Sequence, residues 1–287
     1  ACIYLIAVNG LGNKYMSDNK TDLLLGKNVP VAEQYSPDLL YPIPRETARA
    51  TLGLNDAVPF SGVDLWHAYE VSWLDERGKP EVRVGRFFVP AESPCMVESK
   101  SFKLYLNSLN GTAYSSERQV HETITRDISS VVGSEVELEL FPVDAPELDG
   151  GVPEGDCLDG LEVSIDDSPP GIELLRAAEE VAEESLYSHL LRSLCPVTGQ
   201  PDWATVYLHY RGKKIDRKSL LRYLIAFRKH QEFHEQCVER MFVDLHGLMA
   251  PDFLEIQAFY TRRGGLDINP FRSTDPAAVP LSRMNRQ

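Results

Sequence analysis

The sequence predicts an α+β fold made of two tandem copies of one unit, with antiparallel sheets covered on one face by helices. Three observations carry this: period-two alternation in paired segments, helical spacing in the segments that follow each pair, and recurrence of that order in both halves of the 287 residues. Residues 63–74 and 81–90 alternate on either side of Asp75-Glu-Arg-Gly-Lys-Pro80, a hairpin signal. Residues 99–109 and 116–132 have helical spacing, with Ser116 and Gln119 placed as a capping box, and 135–140 alternates again. Between Asp144 and Pro170 stand nine acidic residues, no basic ones, and many glycines and prolines, a linker or an edge excursion. The second half then repeats the order. A strand to Leu194, a turn, a strand over 203–210, a helix from an Asp216 cap through Lys229, a helix over 233–248 and a strand over 253–260 are expected. The halves share pattern with little residue identity. The expected divisions are an N-terminal extension over 1–24, expected to be disordered, a first module over 25–143, the acidic linker 144–170, and a second module over 171–287.

Composition bounds the function. With 43% hydrophobic and 25% charged residues the chain is a soluble globular type. Cys2, Cys95, Cys157, Cys195 and Cys237 are odd in number and form no CxxC pair, so neither a disulfide framework nor a zinc ribbon is indicated, and reduced cytoplasmic thiols are expected. The apolar stretch 2–8 is too short to span a bilayer and lacks a basic leader; no membrane partner is expected. Met16 opens what reads as an ordinary start. Gly10-Leu-Gly12 tempts a dinucleotide-loop reading, but the third glycine of GxGxxG would fall on Tyr15. The net charge of −14 is uneven: residues 1–170 hold 13 basic and 28 acidic side chains, residues 171–287 hold 16 and 15. An acidic first half repels phosphate backbones, so direct nucleic-acid binding is not expected, and a free base is the better ligand if nucleobase chemistry is involved.

Candidate chemistry concentrates in a few segments. Residues 193–203, Ser-Leu-Cys-Pro-Val-Thr-Gly-Gln-Pro-Asp-Trp, set Cys195 and Asp202 seven apart around a turn punctuated by Pro196, Gly199 and Pro201. A thiol attacks as the thiolate, and a carboxyl group in a poorly hydrated site keeps a proton to donate. A buried structural Cys with a turn-capping Asp is the plainer alternative for such a pair. Phe233-His234-Glu235 opens a helix, where an imidazole and a carboxylate can point at a ligand. Glu235 can accept paired hydrogen bonds from a guanine-like edge, and His234 can exchange protons near neutral pH. His230 and His234 stand four apart, but no HExxH and no third ligand accompany them, so no metal is expected. Val97-Glu98-Ser99-Lys100-Ser101-Phe102-Lys103 sits at a helix start, where Ser and Lys can hold a phosphate. Thr261-Arg262-Arg263-Gly264-Gly265 offers guanidinium groups beside a backbone that a ligand can approach closely. Asn269-Pro270-Phe271-Arg272 reads as an ordered tail.

Taken together, Glu98-Ser-Lys-Ser-Phe-Lys-Leu-Tyr105, the Cys195/Asp202 pair, Phe233-His-Glu-Gln-Cys-Val-Glu239 and Arg262-Arg-Gly-Gly-Leu-Asp-Ile-Asn-Pro-Phe271 resemble the NADPH-dependent 7-cyano-7-deazaguanine reductases, the QueF nitrile reductases, in their two-module form. The likeness runs from about Leu25 to the C-terminus. The resemblance implies tandem tunnelling-fold (T-fold) modules that pair as homodimers, and reduction of a nitrile to a primary amine on the way to queuosine in transfer RNA. It implies that Cys195 forms a covalent thioimide with Asp202 supplying the proton to nitrogen, and that two NADPH act in turn. It further implies substrate contacts by His234, Glu235, Val97, Glu98 and Ser99, with Phe233 closing over the ligand. The NADPH contacts implied are Ser99, Lys100, Arg263 and Gly264. Two rivals remain distinguishable. A zinc hydrolase similar to GTP cyclohydrolase would need a Cys/His ligand set, and a non-catalytic purine-binding protein would have no need of Cys195.

Overall fold

A computed structural model describes residues 34–54 and 57–287; the expected extension 1–24, with Met16 and the Gly10-Leu-Gly12 motif, lies outside them. β1 (Pro42–Pro44) and α1 (Glu46–Thr51) precede a long hairpin, β2 (Ser61–Leu74) and β3 (Pro80–Pro90). β4 (Cys95–Val97) pairs with β1, then α2 (Ser99–Ser108) and α3 (Glu117–Val132) follow, and β5 (Glu137–Phe141) adds to β3. β6 (Asp156–Cys157) lies in the acidic segment. β7 (Ala177–Leu194) and β8 (Pro201–Ile215) make the second hairpin, α4 (Arg217–Ala226) and α5 (His234–Met249) follow it, and β9 (Phe253–Tyr260) and β10 (Leu266–Ser273) come last. The twofold order of strand, strand, helix, helix, strand is therefore present.

Local chemistry explains the boundaries. Asp75 ties the first hairpin by accepting from the Arg77 and Lys79 N–H groups, with Gly78 at φ 79°. Ser116 caps α3 by accepting from Gln119 N–H, whose own side-chain oxygen turns to Ser115 N–H, one residue earlier than in a regular capping box. Asp216 caps α4 by accepting from Ser219 N–H at 2.7 Å.

The sheets of the two halves join as one eight-stranded sheet in the order β5-β3-β2-β10-β9-β8-β7-β6, beside the small β1-β4 pair. Every pairing in it is antiparallel except β6 with β7. The join is β10, read from sequence only as an ordered tail. All eight of its residues are buried, it pairs with β2 along its whole length, and it meets β9 only over residues 271–273. Pro270 stands just before that shorter ladder begins, where its missing N–H removes no rung to β9.

Two cores lie beneath the helices. One joins Trp66, Phe87, Phe102, Tyr105, Ile124 and Ile128 with Leu266 and Ile268 of β10; the other joins Leu208, Tyr210, Tyr223, Phe242 and Met249. The acidic segment is held to the sheet edge, with β6 on β7 and Leu158 buried. Among the described residues no helix is long and apolar enough to cross a membrane.

Candidate active site

The β7–β8 hairpin places the thiol and the carboxylate. Cys195 N–H donates to Gln200 O, and Gly199 N–H, at φ 69°, donates back to Cys195 O, both at 2.9 Å. The register sets Ser193 opposite Asp202, so Cys195 leaves the end of one strand as Asp202 enters the next. Both side chains are buried and line one pocket, and Thr198 N–H aims at the sulfur from 3.5 Å.

Asp202 is gripped from two sides. Arg263 Nη1 lies 2.6 Å from one oxygen and His234 Nε2 3.2 Å from the other. The His234 ring stacks on Tyr260, centroids 3.6 Å apart and nearly parallel. Burial lowers its pKa below the usual histidine value, against the pull of Asp202, so the ring is neutral at pH 7. A neutral ring that donates from Nε2 to Asp202 presents Nδ1 as an acceptor, and Nδ1 has no partner among the described residues. His230 turns to a different carboxylate, Glu232, at 2.9 Å.

Glu235, in the first turn of α5, is also buried. Desolvation pushes its pKa up to about 8, with the neighbouring Asp64 carboxylate adding to the rise. Glu239, one turn on, meets the opposite fate: although burial raises it, Arg272, Arg49 and Arg45 hold it down to about 2. Arg49 and Arg272 lie 2.7 and 2.8 Å from Glu239, while Arg45 and Arg272 lie 2.6 and 2.8 Å from Asp64. This network stitches α1 and β2 of the first half to α5 and β10 of the second, directly behind the pocket.

Two cavities adjoin. The thiol pocket is narrow, about 20 Å3, and takes Val97 and Ser99 from the first half and Phe233, His234 and Glu235 from the second. Beside it opens a cleft of about 350 Å3, lined among others by Ser99, Lys100, Lys103, His234, Arg263 and Gly264. Val97, Ser99, Lys100, Cys195, Asp202, Phe233, His234, Glu235, Arg263 and Gly264 are thus brought together from both halves. Glu98 is the exception: its carboxylate turns away and caps α2 by accepting from Lys100 and Ser101 N–H at 2.9 and 2.7 Å. Sequence reading missed the ionic network, and it named Lys103 within the phosphate-holding segment without assigning it a contact. Arg45 and Arg49 are four apart, the only signal they carry, and their acidic partners are remote in the chain.

Comparison with known proteins finds relatives over most of the chain. Residues 31–140 match the family model described as nitrile reductase, 7-cyano-7-deazaguanine-reductase N-term, and residues 201–278 match that described as QueF-like protein. The chain is 54% identical over 259 residues to the NADPH-dependent 7-cyano-7-deazaguanine reductase of Dechloromonas aromatica, covering 89% of this chain and 92% of that protein. It is likewise 54% identical over 264 residues to the protein so named from Stenotrophomonas maltophilia, at 91% and 96% coverage. A crystal structure of the archaeosine synthase QueF-Like in the apo form aligns with 37% of this chain and all of that chain, with a TM-score of 0.29 and 12% identity.

Proposed function

The chain belongs to the QueF family of NADPH-dependent 7-cyano-7-deazaguanine reductases, and from that premise we propose how its own residues divide the work. It is an oxidoreductase built of tandem T-fold-type domains, and its reaction is the NADPH-dependent reduction of the 7-cyano-7-deazaguanine nitrile in queuosine biosynthesis. The observation that carries the assignment of roles is the narrow pocket that Cys195 and Asp202 line together with Glu235.

In this reading Glu235 receives the ring N–H and exocyclic amine of the base, and Val97, Ser99 and Phe233 frame its plane. Glu98 contributes through the backbone that joins Val97 to Ser99, because its carboxylate is committed to the α2 cap. The Cys195 sulfur adds to the nitrile carbon, and the thiol's own proton reaches nitrogen by way of Asp202, giving a thioimide. Bound beside the thiol, NADPH would supply the two hydrides, each taken up with one proton, that carry the thioimide through loss of sulfur to the amine. His234, neutral and bonded to Asp202, relays protons between the two steps by handing over its Nε2 proton as the unpartnered Nδ1 takes up another.

The wider cleft suits a phosphate-bearing dinucleotide. It brings the Lys100 and Lys103 ammonium groups, the Arg263 guanidinium and the start of α2 to one opening, and Gly264 at φ 61° allows close backbone approach. Ser99, His234 and Arg263 line both cavities, so a cofactor there faces the carbon held on Cys195.

The expected result is consumption of about two equivalents of NADPH per equivalent of 7-cyano-7-deazaguanine, followed by nicotinamide absorbance under anaerobic conditions. No consumption by folded protein that still binds the base would favour a purine-binding protein instead. Assembly as a homodimer is part of the same reading. The sheet ends at β5 on one side, and β7 meets β6 only at Leu186 and Tyr187 on the other, leaving long edges, with Val181 exposed, that a second copy can pair. Sedimentation equilibrium should then give about twice the 32.2 kDa chain mass; a species of chain mass alone would refute it.

A further inference from the structure

We propose that Cys157, Asp159 and His189 form a divalent metal site of the zinc class on the edge of the sheet, separate from the thiol pocket. One ligand atom from each residue lies within 4.8 Å of the others. Around tetrahedral zinc, S and N ligands at about 2.3 and 2.0 Å stand about 3.5 Å apart, so closure by roughly 1 Å completes the set. A thiolate, a carboxylate and a neutral imidazole cancel the charge of a divalent cation. They also span the donor types that zinc accepts, with a water filling the fourth position.

The surroundings orient these groups as metal ligands are usually oriented. β6 pairs in parallel with β7, Cys157 opposite Tyr187, and Leu158 N–H donates to Tyr187 O at 2.9 Å, fixing the short run that carries both Cys157 and Asp159. Asp159 accepts from Ser188 Oγ at 2.6 Å and from His189 N–H at 3.1 Å, which leaves lone pairs for a metal. The His189 Nδ1 meets Thr205 Oγ1 at 2.8 Å, so the ring is held by one nitrogen and presents the other, Nε2. His189 sits where the β7–β8 register shifts between Ser188 and Leu191, a bulge that re-aims its side chain. Asp156, next to Cys157, is taken by Arg217 at 2.7 Å and does not compete. None of the three residues lines the thiol pocket or the cofactor cleft. The metal's role follows from its place: it clamps the acidic segment onto β7.

The test is equilibrium dialysis of chelator-stripped protein against Zn2+ alone, with Co2+ as the spectroscopic probe. One equivalent should bind, Co2+ should show a thiolate charge-transfer band, and both should persist in Cys195→Ala. Cys157→Ser and His189→Ala should each weaken Zn2+ binding by more than the roughly 10–100-fold that loss of an outer partner costs. Zn2+ should also slow proteolysis within residues 144–170 of the unaltered protein, a readout that needs no variant to fold. Absence of stoichiometric Zn2+, binding unchanged in Cys157→Ser, or binding that disappears with Cys195 would each overturn the site.

Discussion

Replacing Cys195 with alanine is expected to lower turnover by at least about 10^4-fold while the base still binds, because a covalent route is closed and no other thiol among the described residues lines the pocket. Cys95, Cys157 and Cys237 lie elsewhere, the first and last buried. The substitution removes one sulfur atom just beyond β7 and with it only the long 3.5 Å contact from Thr198 N–H, while the Cys195 bonds to Gln200 and Gly199, made by backbone, keep the hairpin. The loss therefore belongs to chemistry and not to folding. Steady-state NADPH oxidation measures the first half of the statement and calorimetric titration with 7-cyano-7-deazaguanine the second. Intact-protein mass spectrometry adds an independent mark: without NADPH the unaltered chain gains the mass of the base and the variant does not. Turnover within tenfold of the unaltered protein would sink the covalent route.

Glu235→Ala is expected to weaken base binding by about 2–5 kcal/mol, the range for removing one member of a buried charged hydrogen-bonded pair. The pH dependence carries more information than the variant. In the free protein burial pushes Glu235 up to about 8, so at pH 7 its carboxyl group mostly holds a proton. The donor edge of a guanine-like base favours the carboxylate, so binding lowers that pKa and releases the proton. Affinity should then rise with pH, by up to tenfold per unit, and level off above about pH 8. Glu239 one turn away, already ionised beside its arginines, contributes nothing to this slope. Calorimetry in buffers of different ionisation enthalpy measures the released proton. A flat profile between pH 6 and 8, or unchanged affinity in Glu235→Ala, would refute the assignment.

How far the sequence could be read depended on the range of each signal. Local punctuation was legible: Asp75 and Gly78 at the first hairpin, Ser116 and Asp216 as caps, and the turn that sets Cys195 near Asp202. β10 was not. Every position from Leu266 to Ser273 is buried, so no polar face alternates, and Pro270 argues against a central strand unless the short β9 ladder is known. The ionic network behind Glu235 was equally hidden, because Arg49 and Glu239 are 190 residues apart. Glu98 illustrates the limit of motif likeness: it stands in the matching segment, yet its carboxylate serves the helix behind it. The roles of His234 and Glu235 were readable from their residue types at a helix start and agreed with the resemblance, while their environments, a stacked neutral ring and a buried acid, needed the fold.

The pairing of β2 with β10 also sets a schedule for synthesis. His67 and Asp267, partners in that ladder, are 200 residues apart in the chain. At about 5–20 residues per second, roughly 10–40 s of translation separate the emergence of one from the other. Through that interval the nascent first half carries β2 as an unmatched edge, and its core lacks Leu266 and Ile268. The first half's sheet and core thus stay unfinished until β10 has been made and can pair with β2.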